Sequence, residues 1–349
     1  MIGRGYRFAF VAPDMNLILP LASSLLSFLF AALVLDQWRL RRRPFQLVWA
    51  FGLSCYGVGA GSEFLGSAFG WNAGLYRTWY LFGAILVAAW LGLGTIYLLA
   101  KSRFGYFAGV TVMLGGLFSL AFTRVYSGSF GVGLGAFSVA LVGGLAIVVA
   151  TAVRPGLAPH LALAVLGLGS VAAAVLVSSA ALAGPGFALD PVTHAPVGTA
   201  FPGYVRVLTG PFNIAGALCL VFGACFSAYV YMPKRKLLAA TSVRTPVLAQ
   251  LWYFVAVVVN LVASLPAAFV ALLGGRLNSR VPATILIAVG GLVPSVTSGL
   301  NRFGITWAFF LGEFVGVLLI FCGFLVSEEV FRSLGVLGGV LRRRPQAAG

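Results

Sequence analysis

Only seven acidic residues occur in this chain, and one of them sits where a charged side chain is costly. Asp14, Asp36, Asp190, Glu328 and Glu329 fall at the rims or in the loops of apolar segments, and Glu63 lies near the end of one. Glu313 instead lies well inside the run "ITWAFFLGEFVGVLLIF". A carboxylate at such depth costs about 2.5–3.5 kcal/mol on insertion scales, so it turns toward the bundle interior or a water-filled cavity. The chemistry open to it there is proton or cation coupling; the plainer alternative is a protonated, hydrogen-bonded packing residue. Gly312 and Gly316 flank it as a small-xxx-small pair that admits a close neighbouring helix.

A second group combines polar residues with helix breakers. Asn260 and Ser264 stand one helical turn apart on one face, and Pro266 follows. Residues 282–300 contain Gly290, Gly291 and Pro294, then Ser295, Thr297 and Ser298. Proline removes a ladder bond and clashes with the carbonyl four residues earlier. Non-helical backbone at membrane depth survives only where protein or a water-filled cavity satisfies it. Many carriers expose helix ends to substrate at such breaks. Glu313, Asn260, Ser264, Pro266, Pro294 and Ser298 are therefore the expected lining of a midplane transport or ligand site.

Glu63 and Arg77 close two neighbouring segments across a short loop holding Trp71 and Asn72. The expected arrangement is a structural ion pair at the interface, with substrate gating as the sharper alternative. Asn213 reads as interhelical glue. The proline- and glycine-rich stretch containing Asp190 and His194 is placed to cap one mouth of the bundle or to meet a partner. Two ligands are too few for a metal site there. The glycines of "GVGAGSEFLGSAFG" recur at four-residue spacing without a preceding strand, which suits close helix contact rather than phosphate binding.

Several chemistries lack their residues. The two histidines, His160 and His194, lie outside the apolar cores, so paired axial haem ligands are missing. No lysine lies at mid-segment for a Schiff base, no HExxH-like cluster offers zinc, and no aspartate pair lies deep. Cys55, Cys219, Cys225 and Cys322 form no CxxC pair. A non-enzymatic protein without a cofactor is the expectation.

These residues are carried by a chain that is 60% hydrophobic and 9% charged, with mean hydropathy +1.03. A soluble domain carries charge on about a quarter of its residues. The apolar runs reach about 18–27 residues, the length a helix needs to cross a bilayer. The fold class is an all-α polytopic integral membrane helix bundle with nine or ten transmembrane segments, near 17–37, 46–66, 77–100, 105–123, 131–153, 159–183, 205–232, 249–273, 282–300 and 305–327. Residues 1–14 read as a polar leader with Met15 an alternative start, 15–327 as one transmembrane domain, and 328–349 as a basic cytoplasmic tail.

The net charge of +16 does not point to nucleic acid, because the basic runs abut the spans: Arg39 to Arg43, Lys234 to Lys236, and Arg342 to Arg344. With the N-terminus outside, the inner loops of the first seven segments hold eleven basic residues against three outside. Loops 38–45 and 233–248 are then cytoplasmic, in a cell membrane. A re-entrant 282–300 segment would return the tail to the inner side. This favours nine crossings plus one re-entrant or tilted segment over ten crossings. The expected function is a small-molecule or ion transporter or channel. The alternative is a sensory or scaffolding subunit that binds a lipid or a partner protein.

Overall fold

The structure, a computed structural model, describes residues 12–239, 247–278, 280–302 and 308–326. Most of the expected leader and the whole expected tail lie outside the described residues. The regular structure among those described is helical, apart from one isolated bridge between Leu189 and Pro196. Nine of the described helices are long and apolar enough to cross a membrane, so the chain is an all-α polytopic bundle.

Helices α1 (Ala12–Arg41) and α2 (Pro44–Phe69) form an antiparallel pair. Their turn passes through Arg42, whose φ is 52°, and Pro44 opens α2 where its missing N–H costs nothing. Next, α3 (Ala73–Trp79), a π-helical stretch (Tyr80–Leu86) and α4 (Val87–Leu98) make one continuous rod. Then come α5 (Phe104–Phe122), α6 (Phe130–Val153) and α7 (Ala158–Ser179). After the long segment 180–202, the single turn α8 (Gly203–Arg206) leads into α9 (Thr209–Tyr231). The chain continues with α10 (Val247–Leu273), α11 (Arg280–Arg302) and α12 (Phe309–Val326).

Glycine sets how closely these rods approach. A Cβ on Gly59 would lie 2.6 Å from Gly83 Cα, one on Gly92 2.7 Å from Gly216 Cα, and one on Gly290 2.7 Å from the Gly316 carbonyl oxygen. Lipid gives apolar side chains no reason to prefer one another, so such backbone contacts supply the association. The "GVGAGSEFLGSAFG" run serves this purpose: Gly57 receives the Phe28 ring and Gly66 the Trp71 ring.

Composition and path disagree for two helices. Gln46, Glu63 and five glycines dilute α2, which is not among the nine apolar helices, yet it runs along α1 and α4 from end to end. Conversely, α10 is apolar enough to span, but both its ends lie on one face of the bundle. Val257 of α10 belongs to a layer with Phe104 at the start of α5, Ala150 near the end of α6, Ala158 at the start of α7 and Phe226 of α9. Ala268 packs with Met232, just past α9, and with Val281, in the first turn of α11. Helix α10 therefore crosses those ends obliquely.

The expectation of a re-entrant 282–300 segment is thereby corrected. Helix α11 is continuous and rises from that face along α9 and α12. Its glycines and Pro294 are packing features: Gly291 meets Leu220, and Pro294 fills the space where Gly316 lacks a side chain. Among the described residues nine rods run between the two faces (α1, α2, α3–α4, α5, α6, α7, α8–α9, α11 and α12), and α10 packs across their ends. Among the described residues, Arg39, Arg41, Arg42, Arg43, Lys101, Arg103, Arg154, Lys234, Arg235, Lys236, Arg276 and Arg280 then share one face, twelve in all, and Arg77, Arg124, Arg206 and Arg302 fall toward the other.

Candidate functional site

A buried polar cluster forms where α1, α2, α3 and α12 meet. Glu63 of α2 is 1% exposed, and its Oε1 accepts a 2.8 Å hydrogen bond from Trp79 Nε1. Its Oε2 has no hydrogen-bond partner of good geometry. The half-buried Glu313 of α12 brings its carboxyl directly against that of Glu63. Seven residues before Glu63, on the same side of α2, the Tyr56 hydroxyl donates to the Glu313 backbone carbonyl at 2.7 Å. Two acids far apart in sequence thus meet, with Tyr56 tying α2 to α12 and Trp79 orienting the Glu63 carboxyl.

Local structure explains the meeting. The Gly59–Gly83 contact brings α2 against the π-helical stretch, which begins directly after Trp79. A π turn holds more residues than an α turn and so resets the direction of the side chains around it. Asn213 of α9 donates to the carbonyl of Ala84 within that stretch at 2.8 Å, the interhelical glue expected of it.

Three serines of α1 complete the cluster. Ser24 donates to the Gly57 carbonyl at 2.8 Å. Ser23 and Ser27 are 1% and 0% exposed, and neither hydroxyl has a partner. Leu19 packs with Phe309 and Phe310, while Phe30 lies 5.3 Å from Phe321 and 4.8 Å from Phe324. Helices α1 and α12 therefore run parallel, with Ser23 level with the turn that carries Glu313. Buried polar atoms nearly always find a hydrogen bond, so two uncommitted hydroxyls in one corner are unusual.

Segment 180–202 closes this corner on the face away from the basic loops. Tyr76 donates to the Val197 carbonyl and stacks on Phe201 with ring centres 5.2 Å apart. Asn16 of α1 donates to the Thr193 carbonyl at 2.5 Å, and Ala195 packs against Phe309 and Phe310. Asp190 Oδ1 accepts from the Val192 and Thr193 backbone N–H groups at 3.0 and 2.8 Å, an Asx turn that shapes the cap.

The expected Glu63–Arg77 ion pair is not formed. Arg77 donates to the carbonyls of Val177 and Ala180 at 3.1 and 2.6 Å, capping the end of α7. Trp79 is two residues further along, on the other side of the helix, so aiming Trp79 at Glu63 turns Arg77 toward α7. Trp79 is 5% exposed and commits its indole N–H to the carboxyl.

The expected midplane site is likewise divided. Asn260 Oδ1 accepts from the N–H groups of Leu237 and Leu238 at 2.7 and 2.9 Å, and its Nδ2 donates to the Leu238 carbonyl at 2.9 Å. Ser264 Oγ accepts from Arg235 N at 2.8 Å and donates to the Asn260 carbonyl at 2.6 Å. Both latch segment 235–238 onto α10 at the basic face. Pro266 is exposed on the opposite side of that helix, and Pro294 is packed on Gly316. The side chain of Ser298 lies outside the described residues. Of the six expected residues, only Glu313 belongs to the polar corner.

Tyr56, Trp79, Ser23 and Ser27 are the residues missed in the sequence. Serine at 23 and 27, one turn apart in an otherwise apolar span, was the available signal. Among the described residues, no three His, Cys, Asp or Glu side chains group as metal ligands.

Elsewhere, a cavity of about 350 Å³ lies between α4, α5, α6, α7 and α9. Its walls are apolar, from Leu208 and Leu176 at one end to Ile96 and Ala162 at the other, with the Cys219 thiol among them. No family model, curated protein or solved structure matches this chain.

Proposed function

We propose that the chain is an ion or small-molecule transporter or channel whose coupling site is the Glu63–Glu313 pair. The observation that carries this reading is the meeting of two carboxyls from different helices, near two buried serine hydroxyls without partners. Two carboxylates at such range repel in a low-dielectric setting, so a proton or a cation must stand between them. Carboxylate and hydroxyl oxygens suit a hard cation. Filling and emptying the site would alternately hold α2 to α12 and drive them apart beneath the 180–202 cap. The role is one of binding and release rather than catalysis.

The twelve-to-four division of basic residues supports a cytoplasmic basic face in a cell membrane, with the carboxyl pair in the outer half. The test uses purified protein in vesicles loaded with a pH-sensitive dye or supplied with radioactive sodium. Wild type should pass protons or sodium under an imposed potential, and Glu63→Gln and Glu313→Gln should reduce the flux to that of empty vesicles. Unchanged flux in both variants would overturn the reading.

The apolar cavity favours a second reading, a sensory or scaffolding subunit that holds a lipid chain. Gly135, Val139 and Ala172 line the cavity and are exposed on the bundle surface between α6 and α7, so it opens sideways. An occupant with polar groups would lose hydrogen bonds there; an alkyl chain would lose none. Co-purified lipid that disappears in Gly135→Phe, in a protein with no ion flux, would establish this reading in place of the first.

A further inference from the structure

Helix α10 presents two unlike faces. Ala256, Val257, Asn260, Ser264 and Ala268 are each 5% exposed or less, and they face the bundle and segment 235–238. The other face is apolar and uncovered among the described residues: Trp252 (47% exposed), Val255 (47%), Val259 (37%), Val262 (59%), Phe269 (60%) and Leu273 (74%). With the exposed Pro266 between Val262 and Phe269, these positions repeat every three or four residues and so form one stripe along the helix.

The path of the helix shows where that stripe points. The Tyr253 ring lies 6.3 Å from Phe226 of α9, and Ala268 packs with Met232. Fifteen residues of α10, about 22 Å of helix, thus match six residues of α9, about 9 Å. Helix α10 is steeply inclined to the rods that cross the membrane. Cations surround it. Lys234 lies 5.6 Å above the Tyr229 ring, and Arg280 lies 4.8 Å above the Tyr231 ring while donating to its hydroxyl at 2.5 Å. Arg235 is held against α10 through its backbone N–H on Ser264, and Arg276 follows the end of the helix.

We propose that α10 lies in the plane of the membrane, with its stripe among the acyl chains of the leaflet at the basic face and its flanking cations on anionic headgroups. An interfacial helix has this division: an apolar face in the acyl boundary, a polar face away from it and basic residues at headgroup level. The Asn260 and Ser264 latches fix the rotation of the helix, because only one orientation satisfies both segment 235–238 and the stripe. The bilayer is the occupant that meets the whole stripe and the cations together.

The test begins with sidedness. Single cysteines replace Lys236, Arg276 and Arg124 in the full chain in sealed vesicles, with the unsubstituted protein as blank. The proposal requires an impermeant maleimide to label Lys236→Cys and Arg276→Cys from the same side and Arg124→Cys from the other. Arg276→Cys labelling with Arg124→Cys would mean that α10 crosses, and the proposal falls. Depth is read from nitroxides at Val262 and Phe269 in vesicles of phosphatidylcholine with phosphatidylglycerol. Relaxation dominated by oxygen over an aqueous nickel complex is expected. Shielding from both would mean that protein covers the stripe, and dominance of nickel would mean that it faces water; either overturns the proposal. Both readouts are independent of ion flux and of the Glu63–Glu313 reading.

Discussion

The corner between α1, α2, α3 and α12 and the cavity between α4, α5, α6, α7 and α9 are opposite solutions to life in a membrane. The first packs carboxyl, hydroxyl and indole groups tightly and leaves two serine hydroxyls without partners. The second leaves about 350 Å³ unfilled and surrounds it with carbon. Hydrocarbon tolerates empty apolar space, since a neighbouring lipid chain can enter it. It does not tolerate an unmatched carboxyl, so the polar corner must hold something with charge or a proton. On the proposed reading, ion chemistry belongs to the first region and an apolar ligand to the second.

The double variant Glu63→Gln/Glu313→Gln should show the largest effect, eliminating proton and sodium flux in vesicles while lipid retention in the apolar cavity stays unchanged. Loss of both properties together would mean that the two regions act as one. Next in size, Gly59→Leu forces a side chain into the Gly83 backbone and should cost about 3 kcal/mol, seen as a lower melting temperature in detergent. Trp79→Phe removes the donor to Glu63 Oε1 and should cost about 1–3 kcal/mol by the same melt, with a shifted cation dependence of flux. Asn260→Ala breaks the latch on segment 235–238 without touching the carboxyl pair. It should expose that segment to protease and leave ion flux intact. Smallest of all, Gly135→Phe enters open space and should change the melt by under about 1.5 kcal/mol while expelling co-purified lipid.

The candidate site was legible only in part. Glu313 stands out because a lone carboxyl in an apolar run has few explanations, whereas Glu63 lies near a segment end and invites pairing with the nearest cation. Its actual neighbours, Trp79 and Glu313, depend on a π-helical stretch and a glycine contact that no spacing rule announces. Asn260 and Ser264 were correctly placed on one face, but that face serves a neighbouring segment. A polar pair on a helix reads the same whether it meets a substrate or a backbone. Pro294 looked like a break, yet the chain around it stays helical and seats it on Gly316.

The sequence by itself determined that this protein is a membrane bundle, where most of its helices begin and end, that its basic residues crowd toward one face, and that Glu313 is exceptional. Hydropathy and charge act residue by residue against the solvent, and those properties need no partner. Tertiary structure decided which acids meet, with Tyr56 reaching Glu313 across 257 positions. It also decided that α10, apolar enough to cross, lies over the ends of its neighbours instead. Apolar length opens both courses to a helix equally; only the latches and packing along its other face select one.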